Sequence, residues 1–112
     1  MLIYKIFRRA EWEALRCAGK TRGAPVDLAD GYIHLSTAAQ VVETAARHFS
    51  DESDLVLVAV DSTRLGNALR WEPSRGGQLF PHLYAPLQLE HVAWDKSLPL
   101  GAAGHIFPEG VV

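Results

Sequence analysis

The chain has 112 residues, 48% hydrophobic and 21% charged, a balance that lets one domain close a core without staples. Its one cysteine, Cys17, excludes internal disulfides and multi-thiolate metal centres. Eleven basic against thirteen acidic side chains give a net charge of -2, which lacks the basic footprint of a protein that grips long nucleic acid. The longest aliphatic run, Leu55 to Val60, is far short of the about 20 residues a membrane-spanning helix needs, and the start lacks the order of a signal peptide. The expectation is a single domain, 1–112, in the cytoplasm and away from membranes. The charge is uneven: residues 1–30 hold six Lys or Arg against four acids, and the rest hold five against nine, so a small anion is expected at the N-terminal part.

Leu2 to Phe7 alternates with period two and predicts a strand with at least one buried face. Ala10 to Ala18 predicts a helix in which Ala10, Trp12, Ala14, Leu15 and Ala18 form the inner arc, stopped by Gly19. Lys20 to Gly31, rich in turn formers and without periodicity, predicts a surface loop. Tyr32 to Leu35 reads as a short strand. Thr37 and Gln40 stand in capping-box relation, so a helix starts there, with Ala38, Val41, Val42, Ala45 and Phe49 inward and Gln40, Glu43 and Arg47 outward. Leu55 to Val60 predicts a central strand buried on both faces. Short helical turns through Leu65, a strand at Leu69 to Glu72 and a loop at Ser74 to Gln78 follow. Phe80 to Tyr84 reads as an extended segment kept off a sheet centre by Pro81. Leu87 to Trp94 reads as a later strand, and His105 to Phe107 as an edge strand. Many strands with two clear helices predict an α+β fold.

Chemistry concentrates in two runs. In Gly31-Tyr32-Ile33-His34-Leu35-Ser36-Thr37, His34 and Ser36 share a strand face at the mouth of a helix whose free amides favour an anion. Equally, His34 can be a satisfied core histidine, and Thr37 a plain cap. In Phe80-Pro81-His82-Leu83-Tyr84, Phe80, His82 and Tyr84 share a face, where they can stack a ring or simply pack. His34 and His82 are expected to line one cleft. Glu72, beside Trp71, is either a carboxylate that steadies a charged sugar ring or a surface glutamate. The histidines show no close-spaced metal pattern, so no metal is expected.

These runs, with Ile3 to Ile6, Gln40-Val41, Leu55 to Leu57, Val60-Asp61, Trp71-Glu72 and Ala85 to Leu87, resemble the domain-of-unknown-function 952 family (DUF952) over nearly the whole chain. The resemblance implies an ADP-ribosyltransferase-like fold with a split β core that clamps NAD. His34 would then orient a ribose hydroxyl or the diphosphate, Ser36 would support it, Tyr84 would stack a ring, and Glu72 would be the nearest counterpart of a catalytic glutamate. Lys5 stands where many relatives carry a histidine and would meet a pyrophosphate. The leading expectation is therefore a small protein binding NAD or another ADP-ribose-containing nucleotide, with a transferase or glycohydrolase activity in view. The alternatives are a phosphoesterase using His34 and His82 as acid and base, and a non-catalytic nucleotide-binding module.

Overall fold

A computed structural model describes residues 1–111. In chain order the elements are β1 (Leu2–Arg8), α1 (Arg9–Ala18), β2 (Lys20–Thr21), α2 (Pro25–Asp30), β3 (Ile33–His34), α3 (Ala38–His48), β4 (Leu55–Asp61), β5 (Leu69–Pro73), β6 (Leu79–Leu83), β7 (Leu87–Gln88), β8 (Val92–Leu98), β9 (Leu100–Gly101) and β10 (Gly104–His105). Two antiparallel three-stranded sheets organise them, ordered β1-β4-β8 and β3-β6-β5, and β2-β7 and β9-β10 form two smaller pairs. The fold is α+β, as the mix of strands and helices implied, with three helices instead of two.

β4 is the middle strand of the first sheet, and Leu55 to Val60 are all buried on it. β1 pairs with it in an unbroken register from Leu2 opposite Asp61 to Arg8 opposite Leu55. Alternation sends Ile3 and Phe7 to one face, against Trp12 and Leu15 of α1 and Ile33, Leu83 and Leu87 from the second sheet and β7. Tyr4 and Ile6 go to the other, against Val41 and Ala45 of α3. Lys5 lies on the first of these faces, between Ile3 and Phe7, and is buried with them.

Several expectations need correction. Lys20 to Gly31 is not a free loop: Lys20 and Thr21 pair with Gln88 and Leu87, and Pro25 opens α2 as its first residue, where its missing N–H costs nothing. Gly31 closes α2 in the left-handed conformation, φ 86°. On α1 only Trp12 and Leu15 are buried, and Ala10, Ala14 and Ala18 are exposed, so the inner face is narrower than the expected arc. On α3 the Thr37 N–H donates to Gln40 Oε1 at 3.0 Å, the reach-back half of the expected capping box. Gln40 is nevertheless buried, since its Nε2 donates to the Leu79 carbonyl at 2.8 Å, whereas Val42 is exposed and Phe49 only partly covered.

Pro81 sits in β6, the centre of the second sheet. Its carbonyl accepts from Leu35 N–H at 3.1 Å, so its nitrogen edge faces the same side, where β3 has already ended at His34, and no ladder bond to β5 is lost. Leu87 to Trp94 is broken by a 3-10 turn at Leu89–His91 into β7 and the start of β8, which belong to different sheets. His105 ends β10, which pairs with β9 as a short hairpin, and Ile106 and Phe107 lie beyond it. No helix among the described residues is long and apolar enough to cross a membrane.

Candidate functional site

The sheets meet where Tyr4 and Ser36 form an isolated bridge: Tyr4 N–H donates to the Ser36 carbonyl at 2.7 Å and Ser36 N–H to the Tyr4 carbonyl at 2.9 Å. Beside this seam lies a cleft of about 1200 Å³. His34 and His82 are cross-strand partners on β3 and β6, both lining the cleft, with ring centroids 5.5 Å apart. The bonds that flank this pair, at Leu35 and Pro81, make it the non-hydrogen-bonded kind, whose side chains approach closely. The expectation that the two imidazoles share one cleft is met.

Each imidazole is backed by a carboxylate. His34 Nδ1 is 2.6 Å from Asp27 Oδ1, and the His34 backbone N–H donates to the same oxygen at 3.0 Å. Its Nε2 is 3.0 Å from Asp30 Oδ2. His82 is buried, and its Nδ1 is 2.9 Å from Glu72 Oε1. A carboxylate only accepts, so these Nδ1 atoms carry the hydrogen, and in the neutral His82 ring Nε2 is the accepting nitrogen.

Asp27, which the sequence reading placed in a loop and gave no role, is the hub. It is 1% exposed, and besides His34 it accepts the Ala24 N–H at 2.7 Å and the Lys5 ammonium at 2.9 Å, both on Oδ2. Burial by itself pushes this carboxyl up. The hydrogen bond from His34 and the charge of Lys5 outweigh burial and bring it down from 3.8 to about 2. Lys5, expected to meet a pyrophosphate, lines the cleft but spends its charge on Asp27. Arg8, Arg9 and Arg16 are paired too, with Glu52, Asp54 and Glu13, so of the basic residues in 1–30 only Lys20 and Arg22 have no ion pair among the described residues.

Tyr32, also given no role by the sequence, ties the two histidines to Tyr84. Its ring centroid lies 4.7 Å from His34, 4.2 Å from His82 and 5.1 Å from Tyr84, stacked on the last at 17°. Burial and the charges of Asp30 and Glu72 raise its hydroxyl. The Tyr84 hydroxyl donates to Glu72 Oε1 at 2.6 Å. That bond first, then the one from His82, holds the Glu72 carboxyl below its ordinary range, and the same bond raises Tyr84.

Of the residues singled out from sequence, Lys5, His34, Ser36, Phe80 and His82 line the cleft together. Thr37, Glu72 and Tyr84 do not: Thr37 is the N-cap of α3, Glu72 holds His82 and Tyr84 through one oxygen, and Tyr84 borders a smaller hollow with Tyr32. Arg75, absent from the sequence reading, lines the cleft with its guanidinium 4.9 Å over the Phe80 ring. No group of three or more metal-ligating side chains comes together among the described residues.

The family model described as "Protein of unknown function (DUF952)" matches residues 6–95. The chain belongs to the DUF952 family. Both histidines, Asp27, Tyr32, Glu72, Arg75 and Tyr84 fall inside the matched stretch. Among solved structures, this DUF952 chain is similar to the crystal structure of protein CC0527 from Caulobacter crescentus, with 51% identity, a TM-score of 0.90, and coverage of 94% of this chain and 92% of that one. The solution NMR structure of CC0527 is 52% identical, with a TM-score of 0.83 and coverage of 93% and 90%. No curated protein matches.

Proposed function

We propose that this DUF952 protein is a cytoplasmic binder of an ADP-ribose-containing nucleotide, with NAD as the reference ligand, and that its α+β frame is of the ADP-ribosyltransferase-like kind. The observation that carries the reading is the make-up of the cleft. One cavity of about 1200 Å³ sets aliphatic and aromatic groups, among them Val26, Leu35 and Phe49, beside His34, His82 and Arg75. A flat ring and a phosphorylated ribose need that combination: an apolar wall for the ring and a few convergent polar donors for the rest. Tyr84 lies outside this wall, so it is not the stacking residue in this reading. Glu72 does not line the cleft, and its Oε1 is taken by His82 and Tyr84, so it is not placed to steady an oxocarbenium-like ribose there. Binding without N-ribosyl transfer is the form of the reading that the site favours.

A second reading rests on the paired imidazoles. Two rings side by side, each oriented through Nδ1, are arranged for acid and base work on a phosphodiester, His82 taking a proton on Nε2 and His34 giving one once Asp30 yields its Nε2. Calorimetry of the wild type, His34→Ala and His82→Ala with NAD, ADP-ribose, adenosine 2′,3′-cyclic phosphate and adenosine tests both readings. Binding of NAD or ADP-ribose that weakens at least about tenfold in His82→Ala is the expected result. Hydrolysis of the cyclic phosphate, lost in both variants, puts the acid–base reading in its place. No binding of any phosphorylated ligand at millimolar concentration overturns both.

A further inference from the structure

We propose that Arg75 and Ser36, positioned by Thr44, form a phosphate subsite at the α3 end of the cleft, and that the ligand class is a ribose carrying a phosphate. This inference rests on the nucleotide reading for the ribose and on its own geometry for the phosphate.

The charge distribution selects this end of the cleft. Lys5 is cancelled by Asp27. Arg47 and Arg75 share one acid, Glu43, at 3.1 Å and 3.6 Å, while the acid that lines the cleft, Glu11, is held by Arg8. Two guanidinium groups against one carboxylate leave one positive charge, beside a cleft that both arginines line. The Glu43 side chain is half exposed, so solvent weakens its hold on either partner.

Three separately fixed pieces of chain converge there. Arg75 comes from the turn Ser74–Gln78, in which Gly76 and Gly77 take φ of 68° and 77°, a conformation that suits glycine and folds the turn tightly. The turn is closed by Ser74 N–H on the Gln78 carbonyl and Gly77 N–H on the Ser74 carbonyl, both at 2.9 Å. Its exit is pinned to α3 by Gln40 on the Leu79 carbonyl. Ser36 is pinned by the bridge to Tyr4. Thr44, on α3, gives its hydroxyl proton to the Gln40 carbonyl at 3.1 Å and accepts from Arg75 Nη2 at 3.3 Å. Its Oγ1 lies 3.0 Å from Ser36 Oγ, and with its own proton spent it is the acceptor of that bond.

Among the described residues, Arg75 Nε and Nη1 have no hydrogen-bond partner, and the Ser36 hydroxyl proton rotates from Thr44 to a ligand without moving the backbone. A planar fork and a hydroxyl donor against a net positive charge suit a phosphate oxygen set. Arg75 lies over Phe80, and His82 is two residues farther along β6, about 7 Å on a strand. A phosphate held by Arg75 therefore stands one ribose away from the imidazoles.

The test measures affinity for ADP-ribose, ribose 5-phosphate and adenosine in the wild type, Arg75→Gln, Arg75→Lys, Glu43→Gln and His82→Ala. Arg75→Gln is expected to weaken both phosphorylated ligands by about tenfold to a hundredfold, with Arg75→Lys between it and the wild type. Adenosine, which has no phosphate, is expected to bind the wild type and Arg75→Gln alike. Glu43→Gln, an exposed change that removes the competing carboxylate, is expected to tighten the phosphorylated ligands, which keeps the test decisive if Arg75→Gln folds poorly. Unchanged affinity for ribose 5-phosphate in Arg75→Gln or in Glu43→Gln overturns the subsite, while loss of ADP-ribose binding in His82→Ala alone leaves the nucleotide reading standing. A wild type that binds neither phosphorylated ligand overturns both.

Discussion

Replacing Asp27 by alanine tests the hub of the site. The change removes the acceptor of four hydrogen bonds, from Ala24 N–H, His34 N–H, His34 Nδ1 and the Lys5 ammonium. It also strands Lys5, 7% exposed, without its counter-charge. Breaking a buried pair from one side costs about 3–5 kcal/mol, a large share of the about 5–15 kcal/mol that holds a domain together. With a urea m-value of about 1.5 kcal/mol/M, the midpoint should fall by about 2–3 M. The double variant Asp27→Ala, Lys5→Met should recover part of the loss, because the stranded ammonium is gone. Acid titration gives a second check. Asp27 is held at about 2 in the folded chain against 3.8 when free, so its contribution, about 2 kcal/mol, is complete above pH 4 and lost as the pH falls towards 2. The double variant should lack that component of the acid transition. A midpoint for Asp27→Ala within about 0.5 M of wild type, or no recovery in the double variant, would refute the buried-pair argument.

Three further outcomes follow from the packing and from the Glu72 contacts. Gly23→Ala should destabilise more than Gly31→Ala: both have positive φ, but a Cβ at Gly23 collides with the Asp27 carboxylate whereas one at Gly31 meets open space, so about 1–2 kcal/mol is expected for Gly31 and more for Gly23 in urea melts. Phe49→Ala should cost about 1–2 kcal/mol, less than a fully buried phenylalanine because the ring is only partly covered, and Arg47→Ala should stay within about 0.5 kcal/mol; equal midpoints would show that the α3 face is misassigned. In Tyr84→Phe, carbon-detected NMR should find the Glu72 carboxyl titrating higher than in the wild type, since the Tyr84 hydroxyl is the largest influence holding it down; an unmoved titration would mean that bond is not formed in solution.

Patterns carried by the backbone could be read from sequence. The aliphatic run of β4, the capping box at Thr37 and Gln40, and the shared face of Phe80 and His82 all follow from period and spacing. The pairing of His34 with His82 was available only as the inference that two polar runs face one cleft. What escaped was set by tertiary partners. Asp27 sits in a helix of six residues, too short to show a period, and its acceptor role depends on Lys5 and His34 arriving from other strands. Lys5 could have been placed inward from its position between Ile3 and Phe7, but not with its partner. Gln40 turned inward because a carbonyl waited at Leu79. Pro81 entered a sheet centre because its nitrogen points to the β3 side, where that strand has ended, and the β5 ladder asks no bond of it, which a rule about proline in strands does not see.

The bridge between Tyr4 and Ser36 also bears on how the molecule avoids sticking to itself. β1 is an outer strand of its sheet, and Leu2 to Phe7 is rich in residues that favour amyloid-like pairing, with Lys5 its one charge. An open edge of that kind recruits other chains. Here the outward N–H and C=O of Tyr4, in the middle of the strand, are already occupied by Ser36, so an incoming strand would find its register interrupted at the centre. Variants that loosen the backbone at Ser36 would uncover that edge, and loss of solubility on expression would accompany the loss of whatever the pinned Ser36 hydroxyl binds.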